Sequence, residues 1–98
     1  PALMIQRETG MSSWFGFSLV IRPGVEMTRR QLLNRLNELG FESRPIVAGN
    51  FAKNEVVKHF DAEVHGELRN ADHIDQLGLF IGNHHYPIRE AIAALQSI

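Results

Sequence analysis

The sequence predicts an α+β domain in which a small sheet carries helices packed on one side. Three stretches predict it. Residues 14–21 alternate as a strand does, residues 28–40 form an amphipathic helix with a recognisable start and stop, and Leu79-Phe80-Ile81 is a short apolar run set between two glycines.

In the first stretch Phe15, Phe17, Leu19 and Ile21 lie on one face, with Trp14, Gly16, Ser18 and Val20 on the other. Gly16 and Ser18 leave room for something to approach the backbone. Arg22-Pro23-Gly24 ends the strand. Thr28 followed three residues later by Gln31 is a capping box. Leu32, Leu33, Leu36 and Leu39 make the apolar stripe, and Gly40 is the C-cap. Arg29 and Arg30 fall in the first turn, where the helix macrodipole disfavours positive charge, so they read as solvated surface residues unless an acidic partner meets them.

A short strand is expected from Phe41 to about Val47, followed by a turn at Gly49-Asn50, since both residues tolerate positive φ. Asn50 is placed to cap a helix beginning at Phe51. Ala52, Val56, Val57 and Phe60 have the spacing for two turns of that helix. A loop runs from Asp61 to Arg69. Asn70 then caps a short helix through Leu77, with Asp72 in its first turn. After the strand at 79–81 comes a loop, Asn83-His84-His85-Tyr86-Pro87. Pro87 opens the final helix, whose buried stripe is Ile88, Ala91, Ile92 and Leu95.

Composition narrows the function classes. With 98 residues the chain reads as one domain, 1–98, able to bury only about 60–65% of its unfolded surface. A net charge of −1 argues against nucleic acid, which demands a basic face. No apolar run approaches a membrane span and no signal peptide is visible, so the cytoplasm is the expected compartment. The absence of cysteine excludes disulfides, thiolate nucleophiles and cysteine-held metal or iron–sulfur centres. Residues 1–11 begin at Pro1 and read as a linker or domain-connecting segment, so a piece of a longer protein is expected.

Chemistry-bearing residues concentrate in two places. In Phe41–Phe51, FESRPIVAGNF, Arg44 offers a planar fork of donors suited to carboxylate or phosphate, and Pro45 restricts its backbone to an extended form. His84-His85 is the second. No metal is expected there, because adjacent side chains diverge and no further ligand stands at helical spacing. These histidines are suited to polar ligands, proton transfer or surface hydrogen bonding. His59, His65 and His73 look peripheral. No phosphate-binding glycine loop, nucleophile elbow or paired carboxylate site is present, so residue chemistry alone stops at a small α+β domain.

At SSWFGF (12–17), SRPIVAGNF (43–51) and FIGNHHYP (80–87) the chain resembles the C-terminal small domain of the pyridoxal-phosphate-dependent nucleotide-sugar dehydratases and aminotransferases. The likeness covers nearly all of the chain. It is strongest to members acting on GDP-linked keto sugars in O-antigen (colitose) synthesis, and the lack of cysteine favours these over relatives with an iron–sulfur cluster. The resemblance implies a small, mainly antiparallel sheet, as in the small domain of fold-type I pyridoxal phosphate enzymes. It implies an intact homodimeric enzyme using PLP or its amine form PMP, a nucleotide sugar and glutamate, with cofactor and catalytic residues in an N-terminal large domain. This chain alone would be inactive, without metal or iron–sulfur cluster, and would supply a wall of the cleft: Trp14, Phe15, Arg44, Gly49, Asn50, Phe51, His84 and His85. A sugar-nucleotide aminotransferase of the same fold is the alternative, and a free-standing ligand- or protein-binding domain is the alternative from another class.

Overall fold

The computed structural model describes residues 2–98. Four strands form one sheet: β1 (Leu3–Ile5), β2 (Gly16–Ile21), β3 (Ser43–Pro45) and β4 (Gly78–Gly82), in spatial order β1-β2-β4-β3. Three α-helices accompany it: α1 (Arg29–Glu38), α2 (Arg69–Leu77) and α3 (Arg89–Ala94). All three strand pairings are antiparallel.

The register decides which residues share a face. Leu19 sits opposite Leu79 and Phe17 opposite Ile81 across β2–β4, while Ser43 meets Ile81 across β3–β4. Leu19, Ile21, Leu79 and Ile81 therefore point the same way. With Leu32 and Leu36 from α1 they form the buried centre of the core, and Ile92, Leu95 and Ile98 pack against it from the C-terminal end. Alternate residues, including Gly16, Ser18, Arg44 and Phe80, point to the opposite face.

The structure of α1 follows its sequence closely. Thr28 Oγ1 accepts from the Gln31 amide at 3.2 Å, and the Gln31 side-chain oxygen accepts from the Thr28 amide at 2.8 Å. At the far end Gly40, at φ 81°, and Phe41 donate to the Asn37 and Leu36 carbonyls, the double hydrogen bond of a Schellman motif. Arg29 is not a freely solvated residue: its guanidinium donates to the Asp75 carbonyl at 2.7 Å, in the last turn of α2. That carbonyl has no intrahelical partner to expect, so the arginine finds at the end of α2 the negative pole that its own helix start lacks.

Elsewhere the boundaries differ from expectation. Residues 3–5, read as part of a connecting segment, form an edge strand on β2. β2 begins at Gly16 rather than Trp14, because Trp14 has a φ of 21° and cannot continue an extended strand. β3 is limited to Ser43–Pro45. Instead of one helix after Gly49-Asn50 there are two 3₁₀ turns, Phe51–Lys53 and Glu55–His59. The side-chain oxygens of Asn50 and Asn54 accept from the amides of Ala52 and Val56, at 3.1 and 3.0 Å. Each asparagine restarts the chain with its own cap, and an α-helix cannot run through two such starts. α2 begins at Arg69 with Leu68 at the cap and no side-chain cap, so Asn70 lies inside it. Pro87 precedes the cap position, Ile88, of α3, and the chain closes with a 3₁₀ turn at Leu95–Ser97.

Candidate functional site

A cleft of about 540 Å³ opens where β2 begins and β4 ends, between the C-terminal end of α1 and the start of α3. Phe15, Phe41, Glu42, Arg44, Phe80, Asn83 and His84 are among the residues that line it. Its size and its mixture of aromatic walls with a few polar groups suit a small-molecule site.

Each wall has a local origin. The Phe80 ring lies over Gly16, where a Cβ would stand 2.7 Å from it, so only glycine lets the ring settle there. Phe15, almost fully exposed, meets Phe80 with ring centroids 6.2 Å apart. Arg44 faces Phe80 across the β3–β4 register, and its guanidinium donates to the Glu42 carboxylate at 3.3 Å. Both side chains are largely exposed, so this pairing is weak and the arginine remains available to an anion. Asn83 holds the far side: its amide nitrogen donates to the Trp14 carbonyl at 2.8 Å and its oxygen accepts from the His84 amide at 3.0 Å. That staple ties the end of β4 to the start of β2 and brings His84 to the same cleft as Phe15. The His84 ring stacks on Tyr86 at 5.0 Å.

The expected site residues thus separate. Phe15, Arg44 and His84 come together in the cleft. Trp14 lies on a neighbouring cavity of about 420 Å³, packed on Phe17 at 5.7 Å, which shares Gly82, Asn83 and Ile88 with the cleft. His85 meets the edge of Tyr86 and does not line the cleft.

Gly49, Asn50 and Phe51 lie at a different place, against α2. Gly49, at φ 52°, approaches Asp75 so closely that a Cβ would fall 2.8 Å from the Asp75 Cα. Asn50 is buried, and its side chain donates to Asp72 Oδ1 at 2.7 Å. Lys53 Nζ reaches the same oxygen at 2.5 Å. The Lys53 hydrogen bond, then that of Asn50, holds the Asp72 carboxyl below the usual carboxylate range, and the Asp72 hydrogen bond raises the Lys53 amine above its ordinary value. Phe51 is half-exposed beside Phe60, ring centroids 6.5 Å apart.

Several residues of both places carry no short-range signal. Asn83 and Phe80 read as ordinary loop and strand residues until the sheet register joins them to Trp14 and Gly16. Asp72 reads as a helix-start acid until the fold brings Lys53 to it. His73, which looked peripheral, donates from Nε2 to the Ile21 carbonyl at 2.7 Å and ties α2 to the end of β2. Among the described residues no three histidine or carboxylate side chains gather as metal ligands, and no helix is long and apolar enough to cross a membrane. Neither lysine enters the cleft: Lys53 is held by Asp72 and Lys58 by Glu55.

No family model matches the chain. Among curated proteins it is 48% identical over 99 residues to the GDP-4-keto-6-deoxy-D-mannose 3-dehydratase of Escherichia coli O55:H7 (strain CB9615 / EPEC), covering 100% of this chain and 26% of that protein. It is 50% identical over 99 residues to the protein of the same name from Yersinia pseudotuberculosis, covering 100% of this chain and 25% of that one. Among solved structures, the E. coli enzyme with bound hydrated PLP superposes with a TM-score of 0.90 at 48% identity, over 99% of this chain and 25% of that one. A GDP-4-keto-6-deoxymannose-3-dehydratase with a trapped PLP-glutamate geminal diamine gives 0.87 at 47% identity, over 98% and 25%. The chain spans about a quarter of the length of the curated relatives it matches. In sequence and in fold, this chain is similar to that quarter of the GDP-4-keto-6-deoxy-D-mannose 3-dehydratases.

Proposed function

We propose that this chain is the C-terminal small domain of a PLP/PMP-dependent GDP-4-keto-6-deoxymannose 3-dehydratase, and that its cleft forms one wall of the substrate site. The observation that carries this reading is the 48–50% identity running the whole length of the chain, with a matching fold. The resemblance is therefore not confined to a motif. In the intact homodimeric, cytoplasmic enzyme, PLP bound elsewhere would supply the electron sink for loss of the sugar 3-hydroxyl, and glutamate would return the cofactor to its amine form.

The residues present fit a wall better than a cofactor seat. Both lysines are engaged by carboxylates away from the cleft, which leaves the cleft without an amine for the PLP aldehyde. What the cleft offers is a weakly paired guanidinium for a phosphate, the rings of Phe15, Phe41 and Phe80 for an apolar ring face, and an imidazole and an amide for sugar hydroxyls. Trp14, Gly49, Asn50, Phe51 and His85 would shape the border of the site rather than touch substrate from within the cleft.

The test uses the full-length protein that contains this chain, incubated with PLP, glutamate and GDP-4-keto-6-deoxymannose. The expected product is the 3-deoxy keto sugar, with no nitrogen in it. An amino sugar as the product would replace this reading with the aminotransferase. In parallel, the 98-residue chain with PLP and borohydride should show no turnover and no label at Lys53 or Lys58.

A further inference from the structure

We propose that Asp72 is a positioning residue: one oxygen of its carboxylate holds both ends of the 49–53 turn against α2, and so sets where the turn presents Phe51. The claim rests on contacts within this chain and stands or falls independently of whether a sugar nucleotide binds nearby.

The turn has no fully buried residue in either 3₁₀ segment, where only Ala52 and Val57 are part-buried. Its attachment is polar. Asp72 Oδ1 accepts from Asn50 Nδ2 at 2.7 Å and meets Lys53 Nζ at 2.5 Å, at the two ends of the 3₁₀ turn that carries Phe51. Asn50 is only 6% exposed, so its amide depends on Asp72 for a partner, while its oxygen is spent on the Ala52 amide. One helical turn on, Asp75 backs the Gly49 Cα, and its carbonyl is held by Arg29 of α1. The turn is thereby joined through α2 to the best-formed helix of the fold.

The charged groups around Asp72 are few. Lys53 comes from the turn; Asp75 lies one turn along α2; Arg69, three residues earlier, is paired with Glu67; Arg29 reaches the Asp75 carbonyl, and His73 turns away to Ile21. Lys53 is thus the cation that meets Asp72, in keeping with the lowered Asp72 and raised Lys53 titrations. Protonating Asp72 removes the charge-assisted part of the tie. The turn should then loosen as pH falls through the depressed value, with the core unchanged.

Amide hydrogen exchange of the 98-residue chain, corrected for intrinsic rates, tests this. In Asp72→Ala the amides of Ala52 and Lys53, which bond to Asn50, should exchange at least about tenfold faster while Leu19 and Leu36 stay as they were. Asp72→Asn keeps an acceptor for Asn50 but loses the charge, and should fall between the two. In the wild type the Ala52 amide resonance should titrate in acid together with the Asp72 carboxyl, and Asp72→Asn should abolish that titration. Unchanged exchange at Ala52 and Lys53, exchange rising in step with Leu19 and Leu36, or an acid titration of Ala52 that survives in Asp72→Asn would each overturn the proposal.

Discussion

Arg44 and Asn50 stand six positions apart in one short stretch of sequence, and the fold treats them in opposite ways. Arg44 is exposed, with a weak 3.3 Å contact to the neighbouring Glu42. Asn50 is buried, with every side-chain bond it makes directed to this chain: one to Asp72, one to the Ala52 amide. A polar side chain buried with partners holds structure, because losing one leaves an unpaired group out of reach of water. A guanidinium kept at the surface beside aromatic rings gives up little when it turns to a ligand. The two ends of the motif thus divide the work, with the cleft at Arg44 and the anchor at Gly49-Asn50.

The sharpest way to break this division is Gly49→Ala. The left-handed backbone and the contact with Asp75 should together cost about 2–5 kcal/mol in a denaturant melt. A cost under about 0.5 kcal/mol would mean that the turn is free of α2. Asn50→Ala should cost about 1–3 kcal/mol, since it strips a buried hydrogen bond from Asp72 and the cap from Ala52.

Arg44→Ala should behave in the reverse manner. Stability should stay within about 0.5 kcal/mol, while kcat/KM of the dehydratase proposed for the full-length protein falls at least about tenfold, or roughly 1.4 kcal/mol. Destabilisation with normal kinetics would make Arg44 another structural residue and erase the contrast. Thr28→Ala belongs to neither region and calibrates both: loss of the capping box should cost about 1 kcal/mol, with no effect on the cleft.

The smallest effect expected is the pH dependence of the anchor. The Asp72 carboxyl is depressed by Lys53 and Asn50, so its contribution is present above the ordinary carboxylate range and lost as pH falls through the lowered value. The Lys53 amine is raised by Asp72, so its contribution is present below its ordinary value and lost as pH rises through the raised one. Denaturant midpoints followed across pH should therefore show two shallow limbs with a plateau between them, and Asp72→Asn should flatten both. Limbs that persist in that variant would move the coupling elsewhere.

The features legible in the sequence are those that short-range chemistry controls. The capping box, leucine stripe and C-terminal glycine of α1 lie within thirteen consecutive residues, and the bonds they predict are made inside that span or from the next residue, Phe41. The alternation of β2 and the apolar run of β4 place the buried leucines and isoleucines by the two-residue period alone, and three short motifs were enough to point to the dehydratases that the chain resembles. Tertiary structure decided the rest. Leu3–Ile5 becomes a strand only because β2 offers it an edge. Whether Asn50 faces a cleft or a helix depends on Asp72, and whether Asn83 is a loop residue or a staple depends on the Trp14 carbonyl. These partners are distant in the chain, and a hydrogen bond between them exists only once packing has carried both groups to within about 3 Å of each other, a condition no local pattern encodes.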